Sequence, residues 1–175
     1  RDIAERFNNI YGDVFTIPEA YIGKKGAKIM SLQEPGKKMS KSDTNANATI
    51  LLLDDTDTII RKFKRAVTDS ESEVRYAEEK PGISNLMDIY SAVTGKTYEE
   101  IEKEFAGKGY GDFKLAVGET VADHLKPLQE RYEQLMKDKA YIESMIKQND
   151  EKAAYYANKT LRKVQKKVGL TERIR

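Results

Sequence analysis

The chain has 175 residues, of which 39% are hydrophobic and 34% are charged, and its formal net charge is only +2. This length allows one domain or somewhat more with a buried core, and the small net charge does not by itself indicate a nucleic-acid binder. Cysteine is absent and there is one histidine, which excludes disulfides, thiolate metal sites, cysteine catalysis and histidine clusters within these residues. No apolar run approaches the roughly 20 residues that cross a bilayer and no signal peptide is visible, so we expect a cytoplasmic protein.

The first predicted element is a helix over residues 2–11. Ile3, Phe7 and Ile10 recur at helical spacing, and Gly12 ends the pattern. The chain therefore opens inside an amphipathic helix, without an initiating Met. We expect it to be the C-terminal part of a longer protein.

Two short strands are predicted next, over residues 13–17 (DVFTI) and 28–32 (KIMSL). Pro18 stops the first strand, and the second leads into a polar loop over residues 34–47. These elements are typical of the end of an α/β unit.

The polar loop contains the run KMSKS, in which Lys38 and Lys41 lie three residues apart beside the hydroxyls of Ser40 and Ser42. Ammonium and hydroxyl groups are suitable donors for phosphate oxygens, and Gly36 adds freedom to the backbone. This composition favours a mobile loop that closes over a polyphosphate. On composition alone, an exposed and solvated basic loop is the alternative.

The chain becomes helical after residue 54. Asp54, Asp55 and Asp57 are candidate caps for a helix that carries Ile59 and Phe63. Further helices are predicted from Ser84 to Gly95, after the capping-box pattern Thr97–Glu100, from Asp112 to Lys137 with a kink or break at Pro127, and from Asp150 to Val168. Residues 107–111 are predicted as a glycine-rich loop around Tyr110.

Several separated segments together resemble one family, the bacterial tryptophanyl-tRNA synthetases of aminoacyl-tRNA synthetase class I. They are residues 14–43 with the KMSKS run, LLLDD at 51–55, KRAVTDSE at 64–71, KPGISNLMDIYSAVTG at 80–95 and GKGYGDFK at 107–114. The resemblance implies a mainly α fold. Residues 1–55 would be the end of a Rossmann-like α/β catalytic domain, and residues 56–175 an all-α domain that binds the tRNA anticodon.

The resemblance also implies ATP-dependent activation of tryptophan and its transfer to tRNA(Trp), in a homodimeric enzyme. Lys38 and Lys41 would be catalytic, acting on the phosphates of ATP with Mg²⁺, and no dedicated metal site is expected in the chain. The wider ATP-binding set is Ile29, Lys38, Met39, Ser40, Lys41 and Ser42, with Ile29 and Met39 placed where the family's backbone contacts adenine. The chain alone is expected to be inactive, because the tryptophan pocket and the other ATP signature would lie upstream.

The C-terminal residues from Lys159 onward are strongly basic. Candidate tRNA-binding residues are Lys159, Arg162, Lys163, Lys166 and Lys167, with Arg173 and Arg175 further along. Such a helix can neutralise RNA phosphates, although a solvated helix face is an equally good explanation. Tyr155 and Tyr156 are candidates for stacking on unpaired bases, or for partial burial in a core.

Two other functions remain open at this point. A tyrosyl-tRNA ligase would share the fold and the KMSKS loop, and only the helical segments favour tryptophan. A non-catalytic RNA-binding helical module that retains the loop as a relic is the second alternative.

Overall fold

The computed structural model describes residues 1–23 and 26–170. This part of the chain contains α1 (Asp2–Tyr11), α2 (Thr56–Lys64), α3 (Pro81–Thr94), α4 (Tyr98–Glu104), α5 (Tyr110–Met136) and α6 (Lys139–Val168). The prediction of a mainly α fold is confirmed. The chain divides into two compact units: a central unit over residues 22–133, and a terminal unit that joins residues 1–21 to the described residues from 134 onward. The predicted domain division at residue 55 stays a prediction.

The two predicted strands are wrong as regular elements. Within the described residues, pairing near the second segment is limited to one isolated antiparallel bridge between Met30 and Lys38. The first segment has a side chain as its partner, because the amide of Asn8 accepts from the N–H groups of Val14 and Phe15 and donates to the Phe15 carbonyl. These bonds satisfy the backbone without a neighbouring strand.

The core of the central unit lies among α2, α3, α4 and α5. Phe113 of α5 is fully buried and packs edge-on against Phe105 and Tyr90, at ring-centroid distances of 4.8 and 5.8 Å. Such edge-to-face arrangements are favourable for aromatic rings. The side chains buried to 1% exposure or less also include Leu32, Ile59, Phe63, Ile83, Leu86, Met87, Ile101 and Val117.

Local capping explains several helix boundaries. The carboxylate of Asp55 accepts from Thr58 N–H at the start of α2, and Thr97 and Glu100 form the predicted capping box of α4. Gly95 ends α3 in the left-handed region, at φ 78°. These caps match the sequence predictions.

The predicted start of α3 at Ser84 is wrong. The helix begins three residues earlier, at Pro81, where proline's missing N–H and fixed φ suit the first turn. Ser84 lies inside the helix, and its hydroxyl donates to the Ala77 carbonyl and accepts from Ala77 N–H. It therefore ties α3 to the preceding segment.

The two long helices also extend beyond their predicted starts. Tyr110 belongs to the first turn of α5 and is buried, so it does not lie in a loop. Pro127 does not divide α5, which continues to Met136. The last helix begins at Lys139, eleven residues before the predicted start, with Asp138 accepting from Tyr141 N–H. In the terminal unit, α1 and α6 contain no buried residue.

Candidate functional site

The KMSKS loop (residues 34–47) is held at its entrance by backbone hydrogen bonds to the segment before it. Met39 N–H donates to the Ile29 carbonyl at 3.0 Å, and Ser31 N–H donates to the Lys37 carbonyl at 2.8 Å. Ile29 and Met39 are half-buried and pack against the core of the central unit. Ile29 and Met39, two of the residues predicted to bind ATP, are thus brought together through their main chains. Their side chains pack against the core.

Asn85 of α3 also fixes the backbone at this entrance. Its side-chain oxygen accepts from Met30 N–H at 2.8 Å, and its side-chain nitrogen donates to the Met30 carbonyl at 2.9 Å. Asn85 is 3% exposed. Because Met30 also bridges to Lys38, this buried amide sets the backbone position at the start of the KMSKS run.

The side chains of Lys38 and Lys41 are exposed, and neither forms an ion pair with a residue that the structure describes. Lys37 differs, since its ammonium pairs with Glu34. The hydrogen bond from Lys37 to Glu34 and the negative charge of Glu34 both raise the pKa of Lys37. Two cations in this run therefore face solvent with their donors available to an anion.

The hydroxyls of the run contact each other and the loop backbone. Ser40 Oγ and Ser42 Oγ lie 3.0 Å apart, and Ser42 N–H donates to Ser40 Oγ at 3.3 Å. Thr49, beyond the loop, donates its hydroxyl to the Ser40 carbonyl at 2.7 Å. The middle of the run is therefore tied to the segment that follows the loop.

A buried ion pair holds that following segment. Lys62 of α2 is 5% exposed, and its Nζ donates to Asp54 Oδ2 at 2.6 Å and to the Thr49 carbonyl at 2.8 Å. The same oxygen of Asp54 accepts from Leu51 N–H at 2.9 Å. Full pairing is what makes a buried charge tolerable.

A second buried lysine lies deeper in the central unit. Lys80 is 1% exposed, and its ammonium donates to Tyr110 Oη at 2.9 Å and pairs with Asp69 and Glu71. Burial acts to lower the pKa of Lys80, but the bonds to Glu71 and Tyr110 outweigh it and the pKa lies above its ordinary value. Burial acts to raise the pKa of Asp69, and the bonds from Tyr110, Glu71 N–H and Lys80 outweigh it and lower the pKa.

The candidate tRNA-binding residues share one face of α6 in the terminal unit. Steps of three and four residues separate Lys159, Arg162, Lys163, Lys166 and Lys167, and all five are exposed. Tyr155 and Tyr156, one turn earlier, are 64% and 69% exposed, so they are not core residues of the described structure. Arg173 and Arg175 lie outside the described residues.

Sequence reasoning missed Lys62, Thr49 and Asn85. A signal exists for Lys62, because it lies on the apolar stripe of α2 between Ile59 and Phe63, where a lysine must find a partner. Asn85 similarly interrupts a run of buried residues in α3. Thr49 has no comparable signal in the sequence.

Comparison with known proteins identifies the family. The model for class I tRNA synthetases (W and Y) matches residues 1–126, which is more than half of the chain. The chain belongs to this family. Its curated relatives include the tryptophan–tRNA ligases of Clostridium tetani, 53% identical over 169 residues, and of Listeria monocytogenes, 52% identical over 171 residues. Both alignments cover 97% of this chain, and 50% and 51% of the relatives.

Solved structures of the same family resemble this fold. Tryptophanyl-tRNA synthetase from Mycoplasma pneumoniae superposes with a TM-score of 0.86 at 28% identity, over 98% of this chain and 52% of that one. The Campylobacter jejuni enzyme complexed with ADP and tryptophan gives a TM-score of 0.64 at 28% identity, over 97% and 52%. The resemblance to tryptophanyl-tRNA synthetases is thus confirmed, and the chain spans about half the length of the relatives it matches. Among the described residues, no helix is long and apolar enough to cross a bilayer.

Proposed function

We propose that this chain is the C-terminal part of a tryptophan–tRNA ligase and that its KMSKS loop acts on the phosphates of ATP. In the first step, a carboxylate oxygen of tryptophan attacks the α-phosphorus of ATP. The bond from that phosphorus to the oxygen bridging to the β-phosphate breaks, and pyrophosphate leaves. The terminal adenosine of tRNA(Trp) then takes the tryptophanyl group from the adenylate, and AMP is released.

The observation that carries the proposal is the contrast between the fixed backbone of the loop and its free cations. The loop entrance is pinned by the Met39–Ile29 hydrogen bond, while the ammonium groups of Lys38 and Lys41 are exposed and unpaired with described residues. Negative charge moves toward the leaving phosphates in the transition state. Cations that reach those oxygens at that moment lower the barrier.

The donors of the loop suit the substrate MgATP. Ammonium, hydroxyl and backbone N–H groups match phosphate oxygens, whereas Mg²⁺ prefers oxygen ligands and is commonly carried by the phosphates themselves. Lys38, Lys41, Ser40 and Ser42 would therefore bind the phosphates. Ile29 and Met39 would contact the adenine through their backbones.

The choice of tryptophan over tyrosine is supported by relatives and structural neighbours. The curated relatives quoted above are named tryptophan–tRNA ligases, and a structural neighbour contains tryptophan with ADP. The basic face of α6 and the exposed Tyr155 and Tyr156 favour tRNA as the macromolecular partner, through phosphate contacts and base stacking. A homodimeric assembly and a cytoplasmic location stay predictions.

Amino-acid-dependent exchange between ATP and labelled pyrophosphate tests the proposal. It is measured on the polypeptide that also carries the remaining half found in the relatives, with tryptophan and tyrosine compared and this chain alone as a control. We expect exchange with tryptophan only, and none by the chain alone. Exchange with tyrosine only would favour a tyrosyl-tRNA ligase, and exchange with neither amino acid would favour the RNA-binding module.

A further inference from the structure

We infer that Lys62, acting through Thr49, is a positioning residue for the KMSKS loop; the inference rests on the proposed function. Lys62 does not reach the loop itself. Its ammonium donates to the Thr49 carbonyl at 2.8 Å, and the Thr49 hydroxyl donates to the Ser40 carbonyl at 2.7 Å. Two hydrogen bonds therefore link a buried cation in α2 to the central residue of the KMSKS run.

The hydrogen bonds from Lys62 through Thr49 to Ser40 form a relay. The buried end of this relay, at Lys62, is rigid. Lys62 and Asp54 expose 6% and 12% of their side chains, and Asp54 also accepts from Leu51 N–H. The Lys62 ammonium thus has two acceptors at fixed positions, the Asp54 carboxylate and the Thr49 carbonyl. A charge in this environment cannot move without leaving its partner unpaired, which holds the backbone at residue 49 in place.

The exposed end of the relay lies between the two catalytic lysines. Ser40 is two residues after Lys38 and one residue before Lys41, and its carbonyl also accepts from Asp43 N–H at 3.2 Å. Fixing this carbonyl restricts the backbone from which both lysines extend. Because transition-state stabilisation depends on donors that are already in place, loosening the relay reduces the rate more than it weakens ground-state binding.

Thr49→Val is the decisive variant. Valine has nearly the same shape and retains the carbonyl that accepts from Lys62, so only the bond to Ser40 is lost. We expect kcat for pyrophosphate exchange to fall on the order of tenfold to a hundredfold, with an unchanged KM for tryptophan. Thr49→Ser retains the hydroxyl and should restore the rate.

Lys62→Met is the companion variant, and it is made together with Asp54→Leu so that no buried charge is left alone. We expect the same loss of kcat. Lys64→Met, an exposed lysine on the same helix, is the matched control and should match the unsubstituted enzyme in rate and melting temperature. Hydrogen exchange at residues 40–45, measured without ATP, should be faster in Thr49→Val and unchanged in Lys64→Met.

The outcomes separate this inference from the function on which it rests. If the unsubstituted enzyme exchanges pyrophosphate and Thr49→Val retains the full rate, the relay has no role and this inference alone is overturned. An equal loss in Thr49→Ser and Thr49→Val also overturns it, because the hydroxyl is then not the cause. No exchange by the unsubstituted enzyme overturns the proposed function and the inference together.

Discussion

The side-chain amide of Asn85 pairs with both backbone polar groups of Met30, accepting from its N–H at 2.8 Å and donating to its carbonyl at 2.9 Å. These residues are 55 positions apart in the chain. In this arrangement the amide takes the place of a neighbouring strand. A helix of the central unit thereby fixes the backbone that leads into the KMSKS loop.

Replacing Asn85 by aspartate should weaken both the fold and ATP binding. A carboxylate still accepts from Met30 N–H. It cannot donate to the Met30 carbonyl as the amide does, and it repels that oxygen instead. We expect the free energy of unfolding to fall by roughly 1–3 kcal/mol, because a buried acceptor loses its partner. Urea unfolding of the chain measures this change, and the KM for ATP in the full enzyme should rise. Asn149→Asp on the exposed surface of α6 is the control, and an equal loss there would contradict the prediction.

Replacing Lys38 or Lys41 by alanine should affect catalysis and leave stability unchanged. Each ammonium is exposed, so its removal should change the free energy of unfolding by less than about 0.5 kcal/mol. Loss of a donor to the leaving phosphates should lower kcat on the order of a hundredfold or more. Pyrophosphate exchange and thermal unfolding are measured on the same preparations. Retention of full activity by a variant in which both lysines are replaced by alanine would instead favour the RNA-binding module that retains the loop as a relic.

The helices were predictable where their signals are local. Asp55 caps α2 and Thr97 caps α4 through hydrogen bonds that span three residues, and the sequence displays both partners. The strand prediction at residues 13–17 was wrong because Asn8, a residue of the preceding helix, satisfies that backbone. Nothing in the hydropathy pattern distinguishes a side-chain partner from a strand partner.

The exposed lysines of the KMSKS run are visible in the sequence as a motif, but the residues that hold the loop in place are not. Lys38 and Lys41 belong to a contiguous run, whereas Asn85 and Lys62 act on backbone 55 and 13 residues away. Such partners follow from tertiary packing, which single-sequence patterns do not encode. The signal available in the sequence was a polar residue, Asn85 or Lys62, on an otherwise apolar helix face. Such a residue indicates burial but does not identify its hydrogen-bond partner.

Replacing Gly82 by alanine should lower the free energy of unfolding, whereas replacing Gly111 by alanine should raise it. A Cβ at Gly82 would lie 2.3 Å from the Val67 carbonyl oxygen and 3.0 Å from Thr68 Cα, so Gly82→Ala forces backbone to move. We expect a loss of roughly 1–3 kcal/mol in the free energy of unfolding. Nothing lies within 4 Å of the corresponding position at Gly111, in the first turn of α5, where alanine should add about 0.4–1 kcal/mol. Denaturant unfolding of the two variants checks both signs, and a stable Gly82→Ala would contradict the close approach.

The cluster of Lys80, Glu71, Tyr110 and Asp69 should make stability depend on pH at both extremes. The pKa of Asp69 is lowered from 3.8 on folding, so its contribution is present above about pH 4 and is lost as the pH falls through the folded-state pKa. The pKa of Lys80 is raised from 10.5, so its contribution is present below that pH and is lost at higher pH, as the folded-state pKa is passed.

The contribution of Asp69 at acid pH is measured as the difference in unfolding free energy between the unsubstituted chain and Asp69→Asn. It should be constant near neutral pH and shrink below about pH 4. Tyr110→Phe removes the donor at 2.8 Å from Asp69 and should move this loss toward higher pH, because the carboxylate is then less stabilised. A difference that does not change between pH 5 and pH 2 would show that ionisation of Asp69 contributes nothing to stability.

The basic face of α6 should determine the salt dependence of tRNA binding. Lys159, Lys163 and Lys166 lie on one exposed face, and each cation that neutralises a phosphate releases counterions from the RNA. Replacing Lys163 and Lys166 by glutamine should weaken binding of tRNA(Trp) at low salt and reduce the slope of log K against log salt by roughly 0.7–0.9 for each phosphate that is no longer neutralised. Lys139→Gln and Lys147→Gln, two exposed lysines of α6 that point away from this face, provide a double variant with the same change of net charge. If both double variants lower the slope equally, net charge and not this face accounts for the affinity. The five candidate tRNA-binding residues of α6 would then form only a solvated helix surface.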